Sequence, residues 1–528
     1  MENNERINDV LSGRGASEKI MRLPPVSTAA DFILPDYMGD VKKMLNYSAR
    51  IVPSGKFIGS ESASFAGIVC YSVIYIDNEN RLTEAAFTSD YEYECRVIED
   101  IVDATTQCEL TALSVRLQGP RKISARSTLL SEVIFAEQRA PELPRGAEEL
   151  ELLEKTLSEK TIQIYSLGER EYAEEAARLE GVRADDVSVI YSGGEFIPGS
   201  AECRDGRLTV TGEIALYAVL LIDEEMTLRV EKNIPVEESI EVDDCSYTDS
   251  IVDGVLTSFR VSVNNCRDAS DEGGEDCASV AFNASMEYTA RVSSNRSEPV
   301  VADAFSCSRD CECEYKTYTY NEHLGTVKDK KMVELEVDKG ELETSDVTDI
   351  LSTEAAVKLI DCKLEGNRML YEAELTTVTL VQTSKEPGYA ALKCSSHISD
   401  SLKLGTEYTE GVSVKAALSV SEAKARHDGS SLCVKCFISV LADIKQEKHQ
   451  KIVASVSLSD NELDGSVRPG ITVFYPEETD TLWSVAKKYR VSVAKLAEEN
   501  MLDSKCLAEG AESSVANVDC LTLSRGIR

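Results

Sequence analysis

Ser72-Val73-Ile74-Tyr75-Ile76-Asp77 recurs as Ala218-Val219-Leu220-Leu221-Ile222-Asp223 and, more loosely, as Thr377-Val378-Thr379-Leu380-Val381-Gln382. A second run, Leu110-Thr111-Ala112-Leu113-Ser114-Val115, returns as Leu256-Thr257-Ser258-Phe259-Arg260-Val261 and Lys415-Ala416-Ala417-Leu418-Ser419-Val420. Both runs step by 146 and then 159 residues, from 72 to 218 to 377 and from 110 to 256 to 415. Two independent runs that share their steps mark one unit of about 100 residues present three times. Its signal is β. Asp205-Gly206 precedes the near-alternating Leu208, Val210, Ile214 and Leu216, and Gly366-Asn367 precedes Met369-Leu370, as a tight hairpin turn before a strand would. The recurring runs are apolar without a break, which suits central strands covered on both faces. The fold class that follows is mainly β, with three repeated β-sandwich-like domains.

Working outward, residues 1–30 read as a tail and the units as 31–140, 185–299 and 346–456. The intervening 141–184 reads as a helical, acidic connector. Ala147 to Lys160 is rich in Glu, Leu and Lys, and Tyr172, Ala173, Ala176 and Leu179 fall at helical spacing before a stop at Gly181. A second connector covers 300–345 and holds the tyrosine-rich Tyr315 to Tyr320, which reads as a strand. A linker at 457–470 leads to a module at 471–528.

Composition narrows the function. The 528 residues carry 93 acidic and 56 basic side chains, a formal charge of −37 that repels phosphate backbones and anionic lipid. No nucleic acid partner and no membrane insertion are expected, since no run approaches the ~20 apolar residues of a spanning helix. Met1 to Arg22 is interrupted by Glu2, Glu5, Arg6, Asp9 and Arg14 and has no apolar stretch, so no signal peptide is expected. Most of the sixteen cysteines then read as reduced. Cys307, Cys311 and Cys313, with His323 as a conceivable fourth ligand, lack paired metal spacing, and Cys433 and Cys436 sit at an odd offset on a strand, pointing to opposite faces. No metal and no cofactor are expected.

The module reads as strand, helix, helix, strand. Ile471 to Tyr475 is a short strand. Asp480 or Thr481 can cap a helix with Leu482, Val485, Ala486 and Tyr489 on one face, and Ser492 a second with Val493, Leu496, Ala497 and Asn500. Cys520 to Leu523 closes it. Thr479-Asp480-Thr481-Leu482-Trp483-Ser484-Val485-Ala486-Lys487-Lys488-Tyr489, with Val491-Ser492-Val493 and Leu496 to Asn500, resembles the LysM family of βααβ modules. The resemblance implies binding of N-acetylglucosamine glycans, as in peptidoglycan, between Thr479, Asp480 and Thr481 on one side and Asn500, Met501 and Leu502 on the other. The family commonly has Gly where this chain has Thr479, and a β-branched residue resists the close approach that Gly permits. Trp483, with Lys487 and Lys488, is accordingly expected to form an aromatic, cationic anchor for a protein partner.

Ile33-Leu34-Pro35-Asp36-Tyr37-Met38-Gly39-Asp40-Val41-Lys42-Lys43-Met44-Leu45, taken with the three β units, resembles the SPOCS family (DUF3794) of spore-forming Firmicutes. That resemblance implies a scaffold or adaptor made in the mother-cell cytoplasm and held at the forespore surface in the spore coat. Its implied partners are a coat-basement protein (SpoIVA-like) and other envelope proteins. The alternative is a peptidoglycan-binding protein of the spore cortex or cell wall. No catalysis is expected. The sequence lacks G-x-x-x-x-G-K-[ST], G-x-S-x-G and H-E-x-x-H, and its four histidines, His323, His397, His427 and His449, stand in no catalytic setting.

Overall fold

The first of the two recurring runs occupies the middle strand of three separate antiparallel sheets, whereas the second, expected to be equally central, lies on strands that end their sheets and are half-exposed. A computed structural model describes residues 16–97, 101–137, 150–223, 226–242, 249–266, 277–337, 346–405, 408, 411–427, 431–462, 471–502, 514–515, 518 and 520–524. The first repeat comprises β1 (Ala16–Arg22), β2 (Val26–Ile33), β3 (Val41–Ile58), β4 (Ser62–Asp77), β5 (Leu82–Arg96), β6 (Ile101–Gly119) and β7 (Lys122–Glu137). The second comprises β8 (Glu151–Glu180), β9 (Val187–Arg204), β10 (Arg207–Ile222), β11 (Met226–Glu241), β12 (Asp249–Asn265) and β13 (Cys277–Phe305). The third comprises β14 (Arg309–Glu336), β15 (Val347–Glu365), β16 (Arg368–Thr383), β17 (Tyr389–Lys403), β18 (Val412–His427) and β19 (Leu432–Glu462).

One plan serves all three. A three-stranded meander, β3-β4-β5, β9-β10-β11 or β15-β16-β17, packs on a sheet built from a later pair of strands and a leading strand. The leading strand is β8 in the second repeat and β14 in the third. In the first, β2 and β1 together take its place along β7, and β1 also meets β8 at Ala16 and Ser17. Alternate residues fill each core, as the two-residue period of a strand requires. Tyr71, Val73 and Tyr75 meet Leu129, Val133 and Phe135. Leu216 and Leu220 meet Phe282 and Tyr288, and Tyr371 and Leu375 meet Val434 and Ile438.

The other faces of the meanders explain why the first run is apolar without alternation. Leu45, Ile74, Ile76, Leu82, Tyr191, Val219, Leu351 and Leu380, drawn from all three repeats, form one shared cluster. β5 packs on β9, β11 on β15, and β17 on β3, so that the third strand of each meander meets the first strand of the next and the series closes on itself. Polar contacts follow the same joints. Arg229 donates to the Leu351 carbonyl at 2.8 Å, Asn46 Nδ2 to Glu354 at 3.1 Å, and Lys415 pairs with Glu132 at 2.6 Å. Leu380 is 2% exposed at this junction. Leu380→Ala is expected to cost about 2 kcal/mol and to speed amide exchange in β4, β10 and β16 together. Exchange that quickens in β16 alone would mean that the repeats open independently.

The structure changes three further sequence expectations. The step between the first two central strands is 145 residues, from Ser62 to Arg207, and not 146, because Tyr71, Val73 and Tyr75 face their own core whereas Tyr217 and Val219 face the shared cluster. A continuously apolar run tolerates a one-residue slip in the letters, though such a slip exchanges the two faces. The third central strand follows at 161 residues, from Arg207 to Arg368, and not 159. The helical connectors are strands. Residues 151–180 of the helical connector expected at 141–184 form β8, hydrogen-bonded to β13, and Gly181 (φ 74°) turns the chain at its end. The helix-favouring Glu, Ala, Leu and Lys residues are a weak local bias, and the neighbouring strands supply ladder partners that outweigh it. In the same way 300–345 holds the end of β13 and all of β14, where Tyr318 and Tyr320 stack at 6.1 Å. Residues 138–149, 338–345 and 463–470 of the proposed connectors and linker, like residues 1–15 of the tail, lie outside the described residues.

The chain forms two compact units. One gathers 1–138, 161–294 and 323–445; the other gathers 139–160, 295–322 and 446–528. In the second unit the outer stretches of β8, β13, β14 and β19 pack through Leu157, Val300 and Ile452 and through Val301, Ala304 and Val453. Most described cysteines are free thiols, while Cys266 and Cys277 form a disulfide between β12 and β13 and Cys203 is also disulfide-bonded. Cys436 is buried and Cys433 lies half-buried on the opposite face of β19. No helix among the described residues is long and apolar enough to cross a membrane.

Candidate functional site

The C-terminal module pairs β20 (Ile471–Phe474) with β21 (Leu521–Ser524) and sets α1 (Leu482–Tyr489) and α2 (Val493–Glu499) between them in sequence. Helix α1 starts where the sequence places its cap. Thr481 Oγ1 accepts from the Ser484 amide at 3.1 Å and Ser484 Oγ accepts from the Thr481 amide at 3.0 Å, a reciprocal pair that satisfies two helix-end donors. Asp480 does not cap the helix; its carboxylate accepts from the Glu477 amide at 2.8 Å and tightens the preceding turn. Ser492 precedes α2 without a side-chain cap bond. Leu482, Val485, Ala486, Leu496 and Ala497 are buried together with Val515, Leu521 and Leu523.

The outer face of α1 is seated on the chain's own strands. Trp483, 5% exposed, lies edge-on to Phe305 at 5.0 Å, and its Nε1–H donates to Asp303 Oδ2 at 2.9 Å. Lys487 Nζ donates to both oxygens of Asp303 at 2.7 and 2.6 Å, and the Tyr315 hydroxyl donates to Oδ1 at 2.6 Å. Burial pushes the Asp303 carboxyl up, but the bonds from Lys487, Tyr315 and Trp483 outweigh it and hold the group below its ordinary value. Arg490, the left-handed residue that ends α1, donates to the Arg309 carbonyl at 2.7 Å and to Asp310 at 2.8 Å. Lys488 lies over the Phe474 ring at 5.1 Å.

This geometry sorts the seven residues expected to bind ligand. Trp483 is not a free anchor, because an indole 180 residues away from Asp303 in sequence becomes its hydrogen-bond partner and loses its exposed surface. Asn500 is also committed. Its amide donates to the Leu496 and Thr522 carbonyls, each at 2.8 Å, and accepts from the Thr522 amide at 2.6 Å, tying α2 to β21. Thr481 caps, Asp480 braces the turn, and the Asp480 carbonyl accepts from the Val515 amide at 3.1 Å. Leu502 is half-buried against the module's core. Thr479 is exposed, and Met501, at φ 46°, is 90% exposed. Residues 503–513, between the second loop and β21, lie outside the described residues. Asp303, Phe305, Tyr315 and Arg490 are not legible as site residues in the sequence, because the hydrogen bonds that seat α1 on β13 and β14, Trp483 to Asp303 and Arg490 to Arg309, span 180 and 181 residues of chain.

The cysteine cluster adjoins this seat. Cys311 and Cys313 bring their sulfurs to 3.8 Å, and burial together with Cys313 pushes the Cys311 thiol up to about 11. His323 stands instead between Asp249 and Asp443, with ring nitrogens 3.6 and 3.3 Å from their carboxylates. Among the described residues no group of three His, Cys, Asp or Glu side chains is arranged to hold a metal.

No curated protein and no solved structure matches the chain. One family does, over residues 478–510, a stretch that includes the turn before α1 and both helices. The module whose first helix is fastened to Asp303 is a LysM domain.

Proposed function

We propose that the chain is a non-catalytic scaffold that presents a glycan-binding LysM site, specific for N-acetylglucosamine polymers such as peptidoglycan. The observation that carries this reading is the use of Trp483 and Lys487 within the chain. With that face of α1 covered, the exposed side chains of the two loops, Thr479 and Met501, are what a ligand meets. The setting we propose is the spore envelope. Three β units ahead of a LysM domain resemble the layout of the SPOCS-type coat protein SipL, and closed joints between repeats give a rigid support with several faces for a SpoIVA-like coat-basement protein. Linked sites of this kind raise effective concentration at an assembling surface.

A second reading, protein docking on the LysM domain, draws on β20. Ile471 and Val473 of β20 and Tyr475 just after it are 68%, 52% and 72% exposed. Titration calorimetry of the whole chain with chitohexaose, alongside co-sedimentation with insoluble peptidoglycan, separates the two. Glycan binding is expected, with Thr479→Gly tightening it by allowing closer backbone approach. Wild-type protein that ignores both glycans yet loses capture of a coat-basement protein on Tyr475→Ser would replace the first reading by the second.

A further inference from the structure

We propose that Asp303, on β13 and outside the family-matched segment, is the positioning residue of the glycan site. Through Trp483 and Lys487 it fixes the direction of α1, and through Thr481, the cap of that helix, the loop Thr479–Thr481. This rests on the glycan reading above. The geometry is that of a single carboxylate serving three side chains from two sides, Trp483 and Lys487 from α1 and Tyr315 from β14. Trp483 and Lys487 are four residues apart and therefore share one helix face, so that one acceptor grips two successive turns. Arg490 and Glu151 hold other points, the end of α1 and the Val493 amide at the start of α2 (3.4 Å). Asp303 holds the first turn, next to the loop. Charged hydrogen bonds in a partly buried site are the strong ones, and a neutral amide in the same place keeps the shape but cannot accept from both partners on equal terms.

Acid should undo this grip. Asp303 is held below its ordinary value of 3.8 by its donors, so its contribution is complete above that value and is lost as pH falls through the lower folded one. The other groups facing the seat are Lys487 and Arg490 from α1, Tyr315 and the thiols of Cys311 and Cys313 from β14, and Lys451 of β19, whose Nζ lies 3.9 Å over the Tyr315 ring. Asp310, which accepts from Arg490, and Glu151, which accepts from the Val493 amide, are the other carboxylates at the seat, which makes Asp310→Asn the control.

Trp483 is the one tryptophan of the chain, so its emission reports on the seat alone. In the full-length protein, wild-type emission should shift to the red as pH falls below the ordinary carboxylate range. Asp303→Asn should show that shift already at neutral pH, bind chitohexaose about tenfold more weakly, as expected for a lost charged hydrogen bond, and lose the acid dependence of emission. Asp303→Glu should recover part of both, and Asp310→Asn should behave as wild type. Normal chitohexaose affinity in Asp303→Asn, with or without an emission change, overturns the positioning role. A wild type that binds no chitohexaose removes the glycan reading and the positioning role with it, and the emission series then still tells whether Asp303 holds the helix. The far-ultraviolet spectrum of each variant, dominated by the three β repeats, shows whether a lost signal is a lost fold.

Discussion

Trp483→Ala is expected to cost about 3–5 kcal/mol in the C-terminal module, the range seen when a large aromatic is deleted from a core. The side chain is 5% exposed, rests on Phe305 and donates to a partly buried carboxylate. Alanine removes the packing and leaves Asp303 with Lys487 and Tyr315 alone. Amide exchange should therefore quicken throughout α1 and α2 while β4, β10 and β16, in the other compact unit, keep their protection. Trp483→Phe keeps most of the apolar contact and loses the N–H donor, so its cost should fall to about 1–2 kcal/mol. Glycan affinity should follow the loss of helix protection across the two variants. Unchanged exchange at α1 in Trp483→Ala would mean that the seat does not hold in solution, and the face would return to being a candidate anchor for a partner protein.

The helices of the module were readable because their information is local. Leu482, Val485 and Ala486 follow the helical period, and Thr481 with Ser484 supplies the cap within four residues. The β repeats were readable from periodicity and turn pairs, since each central strand carries its own alternating or doubly buried pattern. What escaped was every feature fixed by a distant partner. Residues 151–180 have the composition of a helix and become a strand because β13 and β1 lie beside them. Trp483 and Lys487 resemble a docking patch until Asp303, 180 residues earlier, is brought against them. The one-residue slip between the first two repeats has a related origin: a strand buried on both faces gives the reader no polar residues with which to set its register.

His323→Leu is the second large effect, at about 3–5 kcal/mol for the repeat unit, the cost typical of removing one partner from a buried ionic group. The imidazole is buried, its side chain 3% exposed, between Asp249 of β12 and Asp443 of β19, whose side chains are 15% and 12% exposed. It thereby joins a strand of the second repeat to the leading and closing strands of the third. Leucine fills much of the volume, yet leaves two carboxylates facing an apolar side chain, and nearly all of the penalty arises from their charge. The pH dependence separates this account from a plain packing defect. Burial pushes the Asp249 carboxyl up, but His323, Thr326 and the Ser250 amide outweigh it and hold the group below its ordinary value. Its stabilising contribution in the wild type is therefore present above the ordinary carboxylate value and fades as pH falls through the lower folded one. In His323→Leu the main support for that charge is gone, so acid, by neutralising the carboxylates, should relieve the variant while it weakens the wild type. Denaturant unfolding followed by β-sheet circular dichroism, at neutral pH and again near pH 3, should show the gap between the two proteins narrowing. A gap that stays constant across that range would assign the loss to shape, and His323 would then be a packing residue and no longer an ionic clasp between the second and third repeats.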